Sequence, residues 1–126
     1  MMELNDLTYK IRGAIFTVFN ELGPGLLESV YESALAHELL DLGLMVSSQL
    51  PLPVIYKDIR LEIGFRIDIL VEDQVIIEIK SVEMLHDVHK KQLLTYLRLS
   101  NKKLGILVNF NSSKLVDKES IIRIIN

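Results

Sequence analysis

The chain has 126 residues, the size of one domain, and its 49% hydrophobic and 25% charged residues exclude a disordered tail. It has no cysteine, which excludes a disulfide framework, a zinc-cysteine or iron–sulfur site and a thiol nucleophile. A formal charge of −3 excludes a globally basic, histone-like nucleic-acid binder but leaves room for a local basic patch.

The N-terminus, Met1-Met2-Glu3-Leu4, has no basic region followed by an apolar core. No apolar run approaches the ~20 residues that span a bilayer. The expectation is a cytoplasmic protein without a membrane partner. Asn5 or Asp6 is expected to cap a first helix, in which Leu7, Ile11, Ile15, Val18, Phe19 and Leu22 recur at helical spacing. Gly23-Pro24-Gly25 stops it. A second helix follows from about Leu26 to Leu42, with Leu27, Val30, Tyr31, Ala34, Leu35 and Leu39 as its stripe.

After Gly43 the pattern turns extended. Met45 to Tyr56 carries Pro51 and Pro53, which confine part of it to an edge or loop. Leu61 to Val71 and Val75 to Lys80 alternate with period two around a polar break, Glu72-Asp73-Gln74. Asp87 is expected to cap a third helix through Val88, Leu93, Leu94, Leu97 and Leu99. Leu104 to Phe110 and Ile121 to Ile125 read as two further strands, separated by the turn signal Asn111-Ser112-Ser113. The order predicts one α/β domain over residues 1–126 with a mixed sheet. The apolar last strand could be an edge that pairs across a homodimer or with a protein partner.

The hairpin around Asp73 carries most of the chemical information. Period two puts Phe65, Ile67, Ile69 and Val71 on one face of its first strand, and Val75, Ile77 and Ile79 on the matching face of its second. Asp68 and Glu78 then share the other face, directly opposite each other if the turn is centred on Asp73. Two carboxylates about 5 Å apart at an effective dielectric of about 20 repel by roughly 3 kcal/mol. A divalent cation would offset this, and hard oxygen ligands suit Mg2+ or Mn2+. Lys80, two residues after Glu78, leaves the same face and could hold or activate a water. A lone Glu-x-Lys is common on solvated strands; Asp68 at the matching register makes this one more specific.

The flanking helices add candidates that are ordinary taken singly. Glu28 and Tyr31 lie on one side of the second helix, and Gln92 and Tyr96 share a face of the third, with His89 near the same side. Between Lys80 and Lys103, six basic residues, Lys90, Lys91 and Arg98 among them, face only Glu83 and Asp87. This is either a solvated helix face or a phosphate-contacting patch. Its few aromatics do not suggest a base-stacking platform. The three histidines make no zinc motif, and no phosphate loop, dinucleotide fingerprint or nucleophile elbow is present.

Together these residues resemble a known family. Asp68 followed by Glu78-Ile79-Lys80 is similar to the core of the PD-(D/E)XK nuclease superfamily, although Ile67 stands where its name has proline. Gln92-Leu93-Leu94-Thr95-Tyr96 resembles the Gln-x-x-x-Tyr motif of its exonuclease-like branches. Gly25 through Glu28 to Tyr31 resembles the signature of its GxxExxY branch. The similarity continues through Phe65-Arg66, Lys80-Ser81-Val82-Glu83 and Gly105 to Phe110. The resemblance implies a restriction-endonuclease-like core, a central mixed sheet flanked by helices, with the acidic hairpin at its catalytic edge. It implies metal ligation by Asp68, Glu78 and the Ile79 carbonyl, with Glu28 reaching a metal-bound water or a second metal. Lys80 would position the attacking water, and Gln92 and Tyr96 would orient the site or the substrate phosphate. Tyr31, His89, Lys90, Lys91 and Arg98 are the expected nucleic-acid contacts. The readings that follow are a metal-dependent phosphodiesterase acting on DNA, or less readily RNA, and a non-catalytic nucleic-acid-binding or regulatory module on the same fold. An interaction domain is compatible with either.

Overall fold

The structure, a computed structural model, describes residues 2–62 and 64–126. Two helices come first, α1 (Leu4–Leu22) and α2 (Glu28–Asp41). Then come β1 (Val46–Leu52), a short exposed hairpin of β2 (Ile55–Tyr56) and β3 (Ile59–Arg60), β4 (Phe65–Val71) and β5 (Val75–Lys80). The chain finishes with α3 (Asp87–Ser100), β6 (Leu104–Asn109) and β7 (Ile121–Ile125). Five strands form one sheet in the order β1-β4-β5-β6-β7. Only β5 and β6 run parallel, joined through α3, so the sheet is mixed as expected. The expected strand from Leu61 contains Ile63, which lies outside the described residues, and the sheet strand begins at Phe65.

The helices cover opposite faces. Leu7, Ile11, Ile15 and Val18 of α1 and Tyr31, Leu35 and Leu39 of α2 bury Ile69, Val71, Val75, Ile77 and Ile79. Leu93 and Leu97 of α3 bury Leu70, Ile76 and Leu107 on the other side. Covered on both faces, β5 and β6 are almost wholly buried, which is why they read as continuous apolar runs. Gly105 lets α3 approach β6 closely: a Cβ there would sit 2.9 Å from both Leu93 methyl carbons. No helix of the described residues is long and apolar enough to cross a membrane. The apolar β7 is an edge strand, as the sequence suggested.

Three local expectations are corrected. Asn5 and Asp6 lie inside α1, which begins at Leu4 without a side-chain cap; Asp6 instead places its charge in the first turn, where the helix dipole favours it. Asp87 is likewise inside α3, and the backbone N–H of His86 donates to His89 Nδ1 at 3.0 Å to close its start. Third, Phe65 and Ile67 do not share a face with Ile69 and Val71. They pack on the α3 side with Leu50 and Leu52, while Ile69, Val71 and Val46 pack on the α1–α2 side. The change occurs at Gln49 and Asp68, a rung missing between Ser48↔Ile69 and Leu50↔Ile67, where Gln49 takes a φ of 51°. One left-handed residue rotates the strand, so both strands exchange faces together while their register is kept.

Candidate active site

The β4–β5 ladder runs Val71↔Val75, Leu70↔Ile76 and Ile69↔Ile77 and stops there, at Asp68 and Glu78. There the carboxylates insert into the ladder. The Ile79 N–H donates to Asp68 Oδ2 at 2.9 Å, and the Asp68 N–H donates to Glu78 Oε1 at 3.4 Å. Glu78 is only 5% exposed, on a strand covered on both faces. Burial, reinforced by the negative charge of Asp68, pushes its carboxyl from an ordinary 4.5 up to about 8, against the opposing pull of Lys80. Burial at this corner therefore favours the protonated form of Glu78 far above the ordinary carboxyl range.

A divalent cation fits this donor set. Burial and the charge of Asp68 both disfavour ionised Glu78, and a cation held between the carboxylates would offset both. Among the described residues no group of three or more acids or histidines is close enough to hold one ion. Glu28 is therefore not gathered into a common cluster with the pair. Its Oε2 instead accepts the Ser81 N–H at 3.1 Å, and Ser81 Oγ donates to the Leu26 carbonyl at 2.7 Å. These bonds tie the start of α2 to the end of β5, one residue beyond Lys80.

Two residues that the sequence reading passed over belong to the site. Gln49 Nε2 donates to Glu32 Oε1 at 2.5 Å and reaches Asp68 Oδ1 at 3.5 Å. The amide thus stands between two carboxylates. Burial raises the Glu32 carboxyl, the Gln49 hydrogen bond opposes the rise and the Asp68 charge adds to it. Glu32 lies four residues after Glu28, one helical turn, and that spacing is the signal that could have flagged it. A left-handed glutamine inside a strand leaves no such trace.

Asn109 is a third missed residue, 2% exposed at the end of β6. Its Oδ1 accepts the N–H groups of Val82 and Asn111, each at 3.1 Å, and its Nδ2 donates to the Val82 carbonyl at 2.9 Å. The chain leaving Lys80 is held by these bonds and by the Phe110 N–H, which donates to the Lys80 carbonyl at 2.9 Å.

Of the α3 residues, Tyr96 feels both Asp68 and Glu78. Burial, then the charges of Glu78 and Asp68, raise its phenol above the ordinary range. Its ring stacks on Phe65 with centroids 4.2 Å apart. Gln92 is exposed one turn earlier. Lys91 and Arg98 are exposed, and Lys90 sits 3.7 Å from Asp87. His89 is occupied at the start of α3, and burial, with the positive fields of Lys80 and His86, lowers its pKa.

Tyr31 is not at a nucleic-acid surface. It is fully buried, stacked on Phe110 at 4.5 Å. Its hydroxyl donates to the Gly23 carbonyl at 2.6 Å and accepts the Leu26 N–H at 3.1 Å. A half-apolar ring three residues from Glu28 points into the core, and its polar tip fastens the Gly-Pro-Gly turn that launches α2. Gly25, at φ 99°, supplies a conformation there that other residues rarely adopt.

Neither the curated proteins nor the solved structures yield a match to this chain. A family model does: the one described as the PD-(D/E)XK nuclease superfamily matches residues 5–124. That span holds the mixed sheet, its helices on both faces and the paired acids followed by Lys80. On this match over nearly its whole length, the chain belongs to the PD-(D/E)XK nuclease superfamily.

Proposed function

We propose that this protein is a metal-dependent nuclease that hydrolyses phosphodiester bonds, DNA before RNA, with Mg2+ or Mn2+, and that within its superfamily it belongs to the GxxExxY branch. The observation that carries the reading is the pairing of Asp68 with the buried Glu78, with Lys80 two residues beyond Glu78 on β5. Superfamily membership supports a nucleic-acid substrate and a divalent metal. Gly25, Glu28 and Tyr31 support the branch, because Tyr31 shapes the turn that delivers Glu28 to the end of β5.

Asp68 and Glu78, with the Ile79 carbonyl, would hold the metal, and Glu28 would contribute from the rim. When bound, such a metal polarises the scissile phosphate and lowers the pKa of the attacking water. Lys80 holds that water by its ammonium group. Gln92 and Tyr96 donate hydrogen bonds to the phosphate from one face of α3. Water adds to phosphorus, one P–O bond to the leaving sugar oxygen breaks, and the proton given up by the water ends on that oxygen.

The test is cleavage of linear duplex, nicked circle, single-stranded DNA and RNA with Mg2+, with Mn2+ and with chelator. Glu78→Gln and Lys80→Ala run alongside. Metal-dependent cleavage lost in both variants is the expected result. No cleavage by the wild type, together with Mn2+ binding that ignores Glu78→Gln, would overturn it. The separation of Glu28 from the pair favours one second reading, a nucleic-acid-binding module that keeps the fold without turnover. That second reading predicts oligonucleotide binding unaffected by chelator.

A further inference from the structure

A groove of about 480 Å3 lies at the start of β4, between the β2–β3 hairpin and the sheet. Leu52 and Pro53 wall one side, Phe65 and Arg66 the other, and Arg60 and Glu62 close it from the hairpin. Its position follows from topology. β4 runs antiparallel to β5, so the start of β4 at Phe65 and the end of β5 at Lys80 lie toward the same end of the sheet. The hairpin therefore leaves the sheet at the end where the acids sit.

We propose that this groove is the track along which one unpaired nucleic-acid strand reaches the acidic pair, with Arg60 and Arg66 on its phosphates and the Phe65–Tyr96 stack as its base platform. The inference rests on the proposed nuclease function and adds the form of its substrate. Three observations carry it. First, among the described residues neither arginine is in an ion pair, and Arg66 Nη1 only donates to the Gln49 carbonyl at 3.3 Å. Against them stands Glu62 alone, so the groove carries net positive charge. Second, Phe65 lines the groove and stacks nearly parallel on Tyr96 of α3, with ring centroids 4.2 Å apart, so an aromatic pair stands beside the charged track. Third, the volume falls in the range of small-molecule sites, ~300–1,000 Å3, with room for single nucleotides. A base must be unpaired to offer its face to an aromatic ring.

The hairpin extends the surface. Lys57 and Asp58, both at positive φ, form its two-residue turn, and Ile55, Tyr56 and Ile59 are 58%, 57% and 61% exposed. Lys57 Nζ lies 5.5 Å from the Tyr56 ring centroid, so the tip also offers an aromatic face beside a cation.

The test uses the full chain in chelator, so binding is read apart from turnover. Fluorescence anisotropy measures labelled single-stranded and duplex oligonucleotides over a salt series against wild type, Arg60→Ala and Arg66→Ala. The single strand is expected to bind more tightly than the duplex. Each variant should weaken it several-fold and lower the salt slope by about 0.7 per lost phosphate contact. Arg60 sits on the exposed hairpin, so its variant keeps the proposal testable if Arg66→Ala unfolds. An iodouracil-containing strand should cross-link at Phe65 or Tyr96. Unchanged binding and slopes in Arg60→Ala would overturn the track even if metal-dependent cleavage is observed. So would cross-links confined to the other polar cleft, about 520 Å3 and lined by Lys90, Lys114 and Lys118. So would a homodimer broken by Ile59→Asp without effect on strand binding. Arginine-dependent strand binding without any metal-dependent cleavage would keep the track and sink the nuclease reading alone.

Discussion

Gln49 stands opposite Asp68 at the missing rung of the β1–β4 ladder, and its side-chain amide bridges Asp68 to Glu32. Backbone and side chain there act separately. The φ of 51° costs a non-glycine residue about 1–2 kcal/mol, which glycine avoids. The amide keeps two carboxylates apart. Gln49→Gly is therefore expected to hold or raise the melting temperature while weakening Mn2+ binding at Asp68 and Glu78. Thermal unfolding and a metal titration on the same preparation check both halves. A fall in both together would show that the backbone, rather than the amide, shapes the site.

The Glu78 carboxyl predicts a pH dependence of opposite sign to that of a surface acid. Its value rises from 4.5 to about 8 in the folded chain, chiefly through burial and then through the charge of Asp68. The folded state holds this proton more tightly than the unfolded one. Its contribution to stability is therefore fully present below about pH 4.5 and is lost as pH rises through about 8, on the order of a few kcal/mol in all. In chelator, the unfolding free energy of wild type should decline from pH 5 to pH 9 relative to Glu78→Gln, which mimics the protonated form. Parallel curves would show that the carboxyl is not held protonated. Divalent metal must displace this proton, so Mn2+ affinity should climb with pH up to about 8.

The sequence carried the acidic pair through its register: the observed ladder keeps a turn centred on Asp73, although period-two alternation does not hold through Asp68. The same alternation misplaced Phe65 and Ile67, because the face exchange at Gln49 depends on one backbone angle that nothing in its side chain demands. Pro51 and Pro53 marked the end of β1. The two-residue turn at Lys57-Asp58 lacks the glycine or asparagine that announces such a hairpin, so nothing in the sequence marks β2 and β3 as a paired unit. Helical spacing joined Glu28 to Tyr31 and Gln92 to Tyr96. It set Tyr31 both on the apolar stripe of α2 and among the substrate contacts, and only the fold decides for the core; nor could it tell that Tyr96 meets Phe65 from a distant strand.

Tyr31 gives a test of positioning without contact. Its hydroxyl ties Gly23 to Leu26, and the Leu26 carbonyl in turn accepts the Ser81 hydroxyl. Tyr31→Phe keeps the ring and its stack on Phe110 but removes both bonds. The expected loss of stability is about 1–2 kcal/mol. Glu28 should lose its fixed place, so cleavage should fall by more than stability accounts for, while oligonucleotide affinity in chelator stays unchanged. Weakened strand binding by Tyr31→Phe would instead restore the ring to the substrate surface.

Asn109 holds the segment after Lys80 by three bonds from one buried amide. Asn109→Leu would fill much of its volume and leave the Val82 N–H, the Val82 carbonyl and the Asn111 N–H unpartnered. Each such group costs about 1–3 kcal/mol if it cannot reach water. Val82 is only half-buried, so its groups can turn outward and recover part of this loss. The expected result is destabilisation by about 2 kcal/mol with greatly faster hydrogen exchange at Val82 and Ser81. The Ser81 amide is the one that Glu28 accepts, so loosening here should reach the active site from the opposite side to Tyr31. Combining Tyr31→Phe with Asn109→Leu should cost less in activity than the two single losses added together, because both act through the Ser81–Glu28 bond. Full additivity would mean that each residue supports the site by its own route.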